Sequence, residues 1–251
     1  MQWYRKHMLL LSLFIVFDIV VAVAVANFFI IKNSGTNVPA PTIPRNSVTV
    51  GTGKPLRYVI LGDSTGVGQG GEYSKGIAVQ TAQYIADKGY AVSYQNFAIS
   101  GSRVNDVLTK QVDKAIATKP DAVLIAIGAN DVTHLTKLNT VKKGMQQVTT
   151  KLIAANPNIK IIITGSPQMG SVPRFPQPTK WLAKHRTAQI NAVFTDIATD
   201  PQVTFAHIAD ETGPFFMKHP EYFAQDKFHP NTAGYQIWLP TLTKAVDQAL
   251  N

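Results

Sequence analysis

Three residue types that together activate a hydroxyl for acyl transfer occur in this 251-residue sequence at Ser64, Asp226 and His229. A serine hydroxyl is a weak nucleophile near neutral pH and needs a base within hydrogen-bond reach to take its proton. Neutral imidazole can take it. A carboxylate on the other ring nitrogen would fix the tautomer and stabilise the imidazolium formed during attack. Asp226, three residues ahead of His229, is placed for that task if the segment turns sharply.

Such residues work only if a scaffold holds them together. From Arg57 onward, apolar strand-like runs (RYVIL, AVSYQNF, AVLIAI, IKIIIT, VTFAHI) alternate with helical patterns near Ile77–Lys88, Val104–Ala117, Lys142–Ala155, Ala183–Ala198 and from Thr232. This alternation predicts a parallel sheet with helices on both faces. In such sheets ligands bind outside the carboxyl ends of the strands. The residues at those ends are Gly62-Asp63-Ser64, then Asn96 through Ser100-Gly101, then Gly128-Ala129-Asn130-Asp131, with Asp226 to Pro230 ahead of the last helix.

These four blocks, in this order, resemble the SGNH hydrolase superfamily, the GDSL esterases and lipases, from Arg57 to Asn251. The resemblance implies a three-layer α/β/α sandwich with a central, mostly parallel, five-stranded sheet, a flavodoxin-like fold. It also implies an oxyanion hole made of the Ser64 backbone N–H, the Gly101 backbone N–H and the Asn130 side-chain amide, around a Ser64, Asp226 and His229 catalytic set. One such donor is worth roughly 2.7–4 kcal/mol. Gly101 suits the role because a missing side chain admits substrate to the amide, and Asn130 because its NH₂ donors are neutral. The Thr65-Gly66-Val67-Gly68 run departs from the larger apolar residue that many members carry after the serine.

Other residues nearby have plainer readings. Asp63 reads as a helix N-cap or a loop-ordering acid, and Asp131 as a loop-ordering acid. His134 reads as a loop histidine, and His185, His207 and His219 lack metal-ligand spacing, so neither metal nor cofactor is expected. Phe215, Phe216, Tyr222, Phe223 and Phe228 either pack as core or wall an acyl or sugar pocket. Trp181, behind the proline-rich SPQMGSVPRFPQPTK stretch, is a further wall candidate.

The amino-terminal segment belongs to a different environment. Met8–Ile31 is almost wholly apolar and as a helix would reach about 36 Å, enough for a bilayer core. Asp18 costs about 2.5–3.5 kcal/mol there, offset by surrounding residues that each return about 0.3–0.6 kcal/mol. Residues 1–31 thus read as a transmembrane anchor, with Arg5 and Lys6 inside and the remainder outside the cytoplasm. The alternative is a cleaved signal peptide, since Ala22-Val23-Ala24 and Ala24-Val25-Ala26 fit a cleavage site; the continuing run through Phe28 to Ile31 favours the anchor. Residues 32–55, rich in Pro, Gly, Ser, Thr and Asn, read as a flexible linker, and 56–251 as the hydrolase domain. A fragment from Arg57 is expected to be soluble and active alone.

Composition narrows the chemistry further. There is no cysteine, which excludes disulfides, thiolate metal sites and a cysteine nucleophile. The net charge of +9 is spread out, with five basic residues against one acidic before Arg57 and 19 against 14 from Arg57 onward. No basic run with interleaved aromatics points to nucleic acid. The expected partners are the membrane and a small-molecule, glycan or lipid ester, with short-acyl or acetyl esters of envelope carbohydrate foremost. Two rivals stand beside this reading. Gly66-x-Gly68-x-x-Gly71 could mark a dinucleotide-binding loop, although Tyr94-Gln95-Asn96 supplies no acid at the second strand's end. The fold could also serve an inactive, anchored carbohydrate-binding protein.

Overall fold

The computed structural model describes residues 2–251. Its sheet has six strands: β1 (Val48–Val50), β2 (Lys54–Gly62), β3 (Tyr90–Asn96), β4 (Ala122–Ala126), β5 (Lys160–Ile163) and β6 (Val203–Phe205). The order is β1-β3-β2-β4-β5-β6, with β1 antiparallel to β3 and all other pairs parallel. The expected five strands are β2 to β6, so the sheet exceeds expectation by one. Strand β1 comes from the stretch read as linker, where three residues are too few to show a period but enough to pair Val48 with Tyr94 and Val50 with Val92.

The helices are α1 (Gln2–Asn33), α2 (Ser64–Val67), α3 (Ile77–Asp87), α4 (Val104–Asp106), α5 (Val112–Ala117), α6 (Ala129–Thr133), α7 (Leu138–Ala155), α8 (Thr179–Ile197), α9 (Ile208–Phe216) and α10 (Thr232–Leu250). A π-helical turn, Val107–Gln111, joins α4 to α5, so one helical stretch covers the expected Val104–Ala117. The unanticipated α9 is short and contains Pro214, which masks its helical signal. Helix α1 is long and apolar enough to cross a membrane, with a mean hydropathy of 2.9 in its best window, none of which is buried.

Alternation along the strands splits the core between the two faces of the sheet. Val59, Leu61, Val123, Ile125, Ile161 and Ile163 face the side that holds α5, α7 and α8. Tyr58, Ile60, Leu124 and Ile162 face α3 and α10 on the other side. Each such side chain buried contributes about 1.5–3 kcal/mol, and burial on both faces explains why the strands read as continuous apolar runs.

From β2 the chain moves to β3 on one side and then to β4 on the other. The carboxyl ends of β2 and β4 therefore flank the crevice where a parallel sheet of this order binds ligands. Gly62, the last residue of β2, sits there at φ +134° with its Cα so close to β4 that a Cβ would stand 1.9 Å from the Ala126 carbonyl oxygen. Only glycine fits.

Candidate active site

Ser64 follows Gly62 at once. Asp63 is the N-cap of α2: its Oδ1 accepts from the Thr65 N–H and the Thr65 hydroxyl, each at 2.8 Å. That cap makes Ser64 the first residue of α2, whose N–H has no intrahelical acceptor. Asp63 is fully buried, and burial pushes its carboxyl up to about 6 against the pull of its bonds from Thr65.

The segment from Asp226 to His229 turns sharply, as the three-residue spacing requires. Lys227 takes the left-handed conformation at φ +54°, and Asp226 Oδ1 accepts from the N–H groups of Phe228 (2.9 Å) and His229 (3.0 Å). The other carboxylate oxygen, Oδ2, lies 2.5 Å from His229 Nδ1, and His229 Nε2 lies 2.8 Å from Ser64 Oγ. Burial pushes the Asp226 carboxyl up, but the His229 side chain and the two backbone donors outweigh it and hold the carboxyl below its ordinary value. An ionised carboxylate only accepts, so Nδ1 carries the proton. In the neutral ring, Nε2 then presents its lone pair to the serine hydroxyl.

The expected oxyanion donors lie on the two neighbouring strand ends. Asn130 Nδ2 donates to the Ser102 carbonyl at 3.0 Å, which leaves its second N–H uncommitted among the described residues. Gly101 is exposed at φ +82°, and a Cβ there would meet nothing within 4 Å, so the need for glycine is conformational and the space beside it is open. Buried Gln111, at the end of the π-helical turn, ties these pieces together. Its Oε1 accepts from the Gly62 N–H at 2.8 Å, and its Nε2 donates to the Gly62 carbonyl at 2.9 Å and to Ser102 Oγ at 3.1 Å. Asp131 is buried and accepts from the Val104 N–H at 3.1 Å, ordering its loop as expected. His134 is exposed, with Nδ1 2.9 Å from the Asn130 carbonyl.

A narrow apolar cavity opens beside Ser64 and His229, walled by Met169, Val172, Phe216, Phe223, Phe228 and Trp238. The aromatic segment thus divides. Phe216, Phe223 and Phe228 wall the cavity, while Phe215 stacks on His219 and packs against Tyr222 away from it. Trp181 is exposed on α8, 4.1 Å from His185 between ring centroids, and is not part of this cavity.

Residues 60–237 match the GDSL-like lipase/acylhydrolase family. The chain belongs to the GDSL-like lipase/acylhydrolase family. It is 28% identical over 204 residues to a GDSL-like esterase, Rv1075c, of Mycobacterium tuberculosis (strain ATCC 25618 / H37Rv), covering 78% of this chain. The aligned region spans 63% of that relative's length. Among solved structures, TesA superposes with a TM-score of 0.61 at 19% identity, over 77% of this chain and 99% of its own. Phospholipase A1 from Streptomyces albidoflavus NA297 also superposes with a TM-score of 0.61 at 19% identity, over 76% and 99%. At this identity the two structures bear on the fold alone.

In this GDSL-family chain the Gly66 to Gly71 string is packing material around the site. Gly70, at φ +96°, lets the loop pass so close that a Cβ would stand 2.5 Å from the Pro230 carbonyl and 2.8 Å from His229 Cβ. Asn96 Nδ2 donates to the Gly66 carbonyl at 2.7 Å. The cavity residues Met169 and Val172, which the sequence reading passed over, lie in the loop after β5. The strand-end rule that singled out the loops after β2, β3 and β4 applies there equally.

Proposed function

We propose that this protein is a carboxylic ester hydrolase that works through an acyl-enzyme on Ser64. The observation that carries the reading is the unbroken line of hydrogen bonds from Asp226 through His229 to Ser64 Oγ. In the first half-reaction, His229 Nε2 takes the Ser64 proton as Oγ attacks the ester carbonyl. Asp226 holds the ring and offsets its positive charge. The oxyanion is met by the N–H groups of Ser64 and Gly101 and by the free N–H of Asn130. His229 then returns the proton to the departing alcohol oxygen; in the second half-reaction it takes a proton from the water that attacks the acyl carbon and gives it to Ser64 Oγ as the acyl–Oγ bond breaks and the acid leaves.

The substrate reading is a short-acyl ester, acetyl foremost, carried on envelope carbohydrate or lipid. The size of the cavity supports it: its room of about 30 Å³ suits two or three waters, at roughly 10–15 Å³ for each. Helix α1 is read as the anchor, with Arg5 and Lys6 in the cytoplasm and the catalytic domain outside.

The test uses three variants assayed on p-nitrophenyl esters and acetylated glycans. Ser64→Ala should lose both turnover and labelling by a fluorophosphonate, which needs the activated hydroxyl. His229→Ala should fall comparably, and Asn130→Ala should keep slow labelling while losing about 10²–10³ in kcat. Near-normal turnover by folded Ser64→Ala would overturn the mechanism. A mature N-terminus at Asn27 in soluble material would replace the anchor by a signal peptide.

A further inference from the structure

The domain exposes few large apolar side chains. Among the described residues outside α1 there are five, and two of them, Leu135 and Leu182, lie where α1 meets the domain. Leu135 and Leu182 line one cavity together with Ile31 of α1. Trp181 is the neighbour of Leu182 in the first turn of α8.

Helix α1 is fastened to this face. Asn27, the residue of α1 that is buried against the domain, accepts from the Thr179 hydroxyl at 2.8 Å, and its Nδ2 donates to the Gln177 carbonyl at 3.2 Å. One turn further on, Arg174 Nε donates to the Ile31 carbonyl at 3.0 Å. Pro178 and Thr179 share a groove with α1 residues as far back as Ile19. Counted from Met8, just past the cytoplasmic Arg5 and Lys6, the 20 residues to Asn27 cover about 30 Å, a full hydrocarbon core. Asn27 then lies at the edge of the headgroup region, and so do the groups bonded to it.

The chemistry of the face suits that depth. Two exposed leucines beside an apolar helix suit an interfacial surface. Between Arg174 and Arg186 the chain carries Lys180, Lys184 and no acidic residue, which favours anionic headgroups. The face is also close to the catalytic loop. Phe175, in the cavity with Ile31, meets Phe228 edge-on at 5.9 Å, and Arg174 N–H donates to the Lys227 carbonyl at 3.1 Å.

We infer that the face bearing Leu135 and Leu182 lies in the headgroup region of the leaflet that α1 enters, so that the domain rests on an anionic lipid surface. The inference rests on the anchor reading and adds to it a docked orientation with the reacting serine held near that surface.

The absence of native cysteine allows clean single-site labelling of the full chain. An environment-sensitive fluorophore would be placed at Leu182→Cys, with Val16→Cys inside α1 and Gln83→Cys on exposed α3 as references. Each protein would be reconstituted in equimolar phosphatidylcholine and phosphatidylglycerol vesicles with or without headgroup spin-labelled and chain spin-labelled lipid. Blue-shifted emission at 182, quenched most by the headgroup label, with quenching at 16 and none at 83, is the result expected. Adding Asn27→Leu should weaken the quenching at 182 and spare that at 16. Water-like emission at 182 with quenching at 16 would overturn the docked face and leave the anchor standing. Water-like emission at both sites would overturn both. Blue-shifted emission at 182 without lipid quenching, rising with protein density in the vesicle, would mean that a second copy covers the face, and would also overturn the inference.

Discussion

Gln111 holds both polar groups of Gly62, accepting from its N–H at 2.8 Å and donating to its carbonyl at 2.9 Å. One buried amide side chain thereby fixes the strand end from which Ser64 projects. Its bond to Ser102 Oγ carries that constraint to the residue whose carbonyl orients Asn130. Gln111→Leu conserves the volume but strands the Gly62 N–H, at a cost of about 1–3 kcal/mol. Misplacement of the serine should lower kcat by up to about 10²-fold with KM little changed. Gln111→Glu keeps the acceptor and should lose less than Gln111→Leu. Unaltered kcat in a destabilised Gln111→Leu protein would limit the residue to folding.

Met169 bounds the cavity beside Ser64, and its truncation should change which acyl groups enter. The wild type should prefer p-nitrophenyl acetate to the hexanoate. Met169→Ala removes wall volume at a stability cost of about 2–5 kcal/mol, and each methylene newly admitted is worth about 1–3 kcal/mol in discrimination. The hexanoate-to-acetate ratio of kcat/KM should therefore rise at least about tenfold. A constant ratio would mean that the acyl group lies elsewhere.

Much of this arrangement could be read in the residues themselves. The strand-end rule of a parallel sheet singled out the loops that carry Ser64, Gly101 and Asn130, and the Asp226 to His229 spacing encoded the turn that Lys227 completes. What escaped the reading has physical reasons. Strand β1 is three residues long and owes its pairing to the exposed edge of β3. Gln111 lies 47 residues from Ser64 in sequence, and nothing local marks a buried glutamine as a clamp. The docking of Asn27 on Thr179 is a contact between segments with no common pattern.

Asp63 should leave a signature in the pH dependence of stability. Burial raises its carboxyl from 3.8 to about 6, so the folded chain holds a proton that the unfolded chain releases. Stability from this group is full below the unfolded value and is lost as pH rises through about 6, a change of up to about 3 kcal/mol. Asp63→Asn has no such titration. Melts at successive pH values should show the variant gaining on the wild type as pH rises through that window, and parallel curves would refute the burial of a titrating acid.

The domain's practical boundary should lie ahead of Val48. Cutting at Arg57 removes β1 and the first three residues of β2, buried Leu56 among them, and bares the edge of β3, a ready template for pairing between chains. A fragment from Asn46 should stay monodisperse. One from Arg57 should melt lower and associate, as judged by light scattering. Equal behaviour of the two would make β1 dispensable.

The hydrogen bonds of Asn27 to Gln177 and Thr179 also bear on reach. A loose linker would let the site explore a hemisphere above the bilayer, at an effective concentration diluted over that volume. A pinned domain sweeps a thin shell at constant height. On the anchor and docked face proposed above, esters at that height would be met often, and chemically identical esters further out would not be met at all. Height above the bilayer would then select among substrates that the cavity itself could not tell apart.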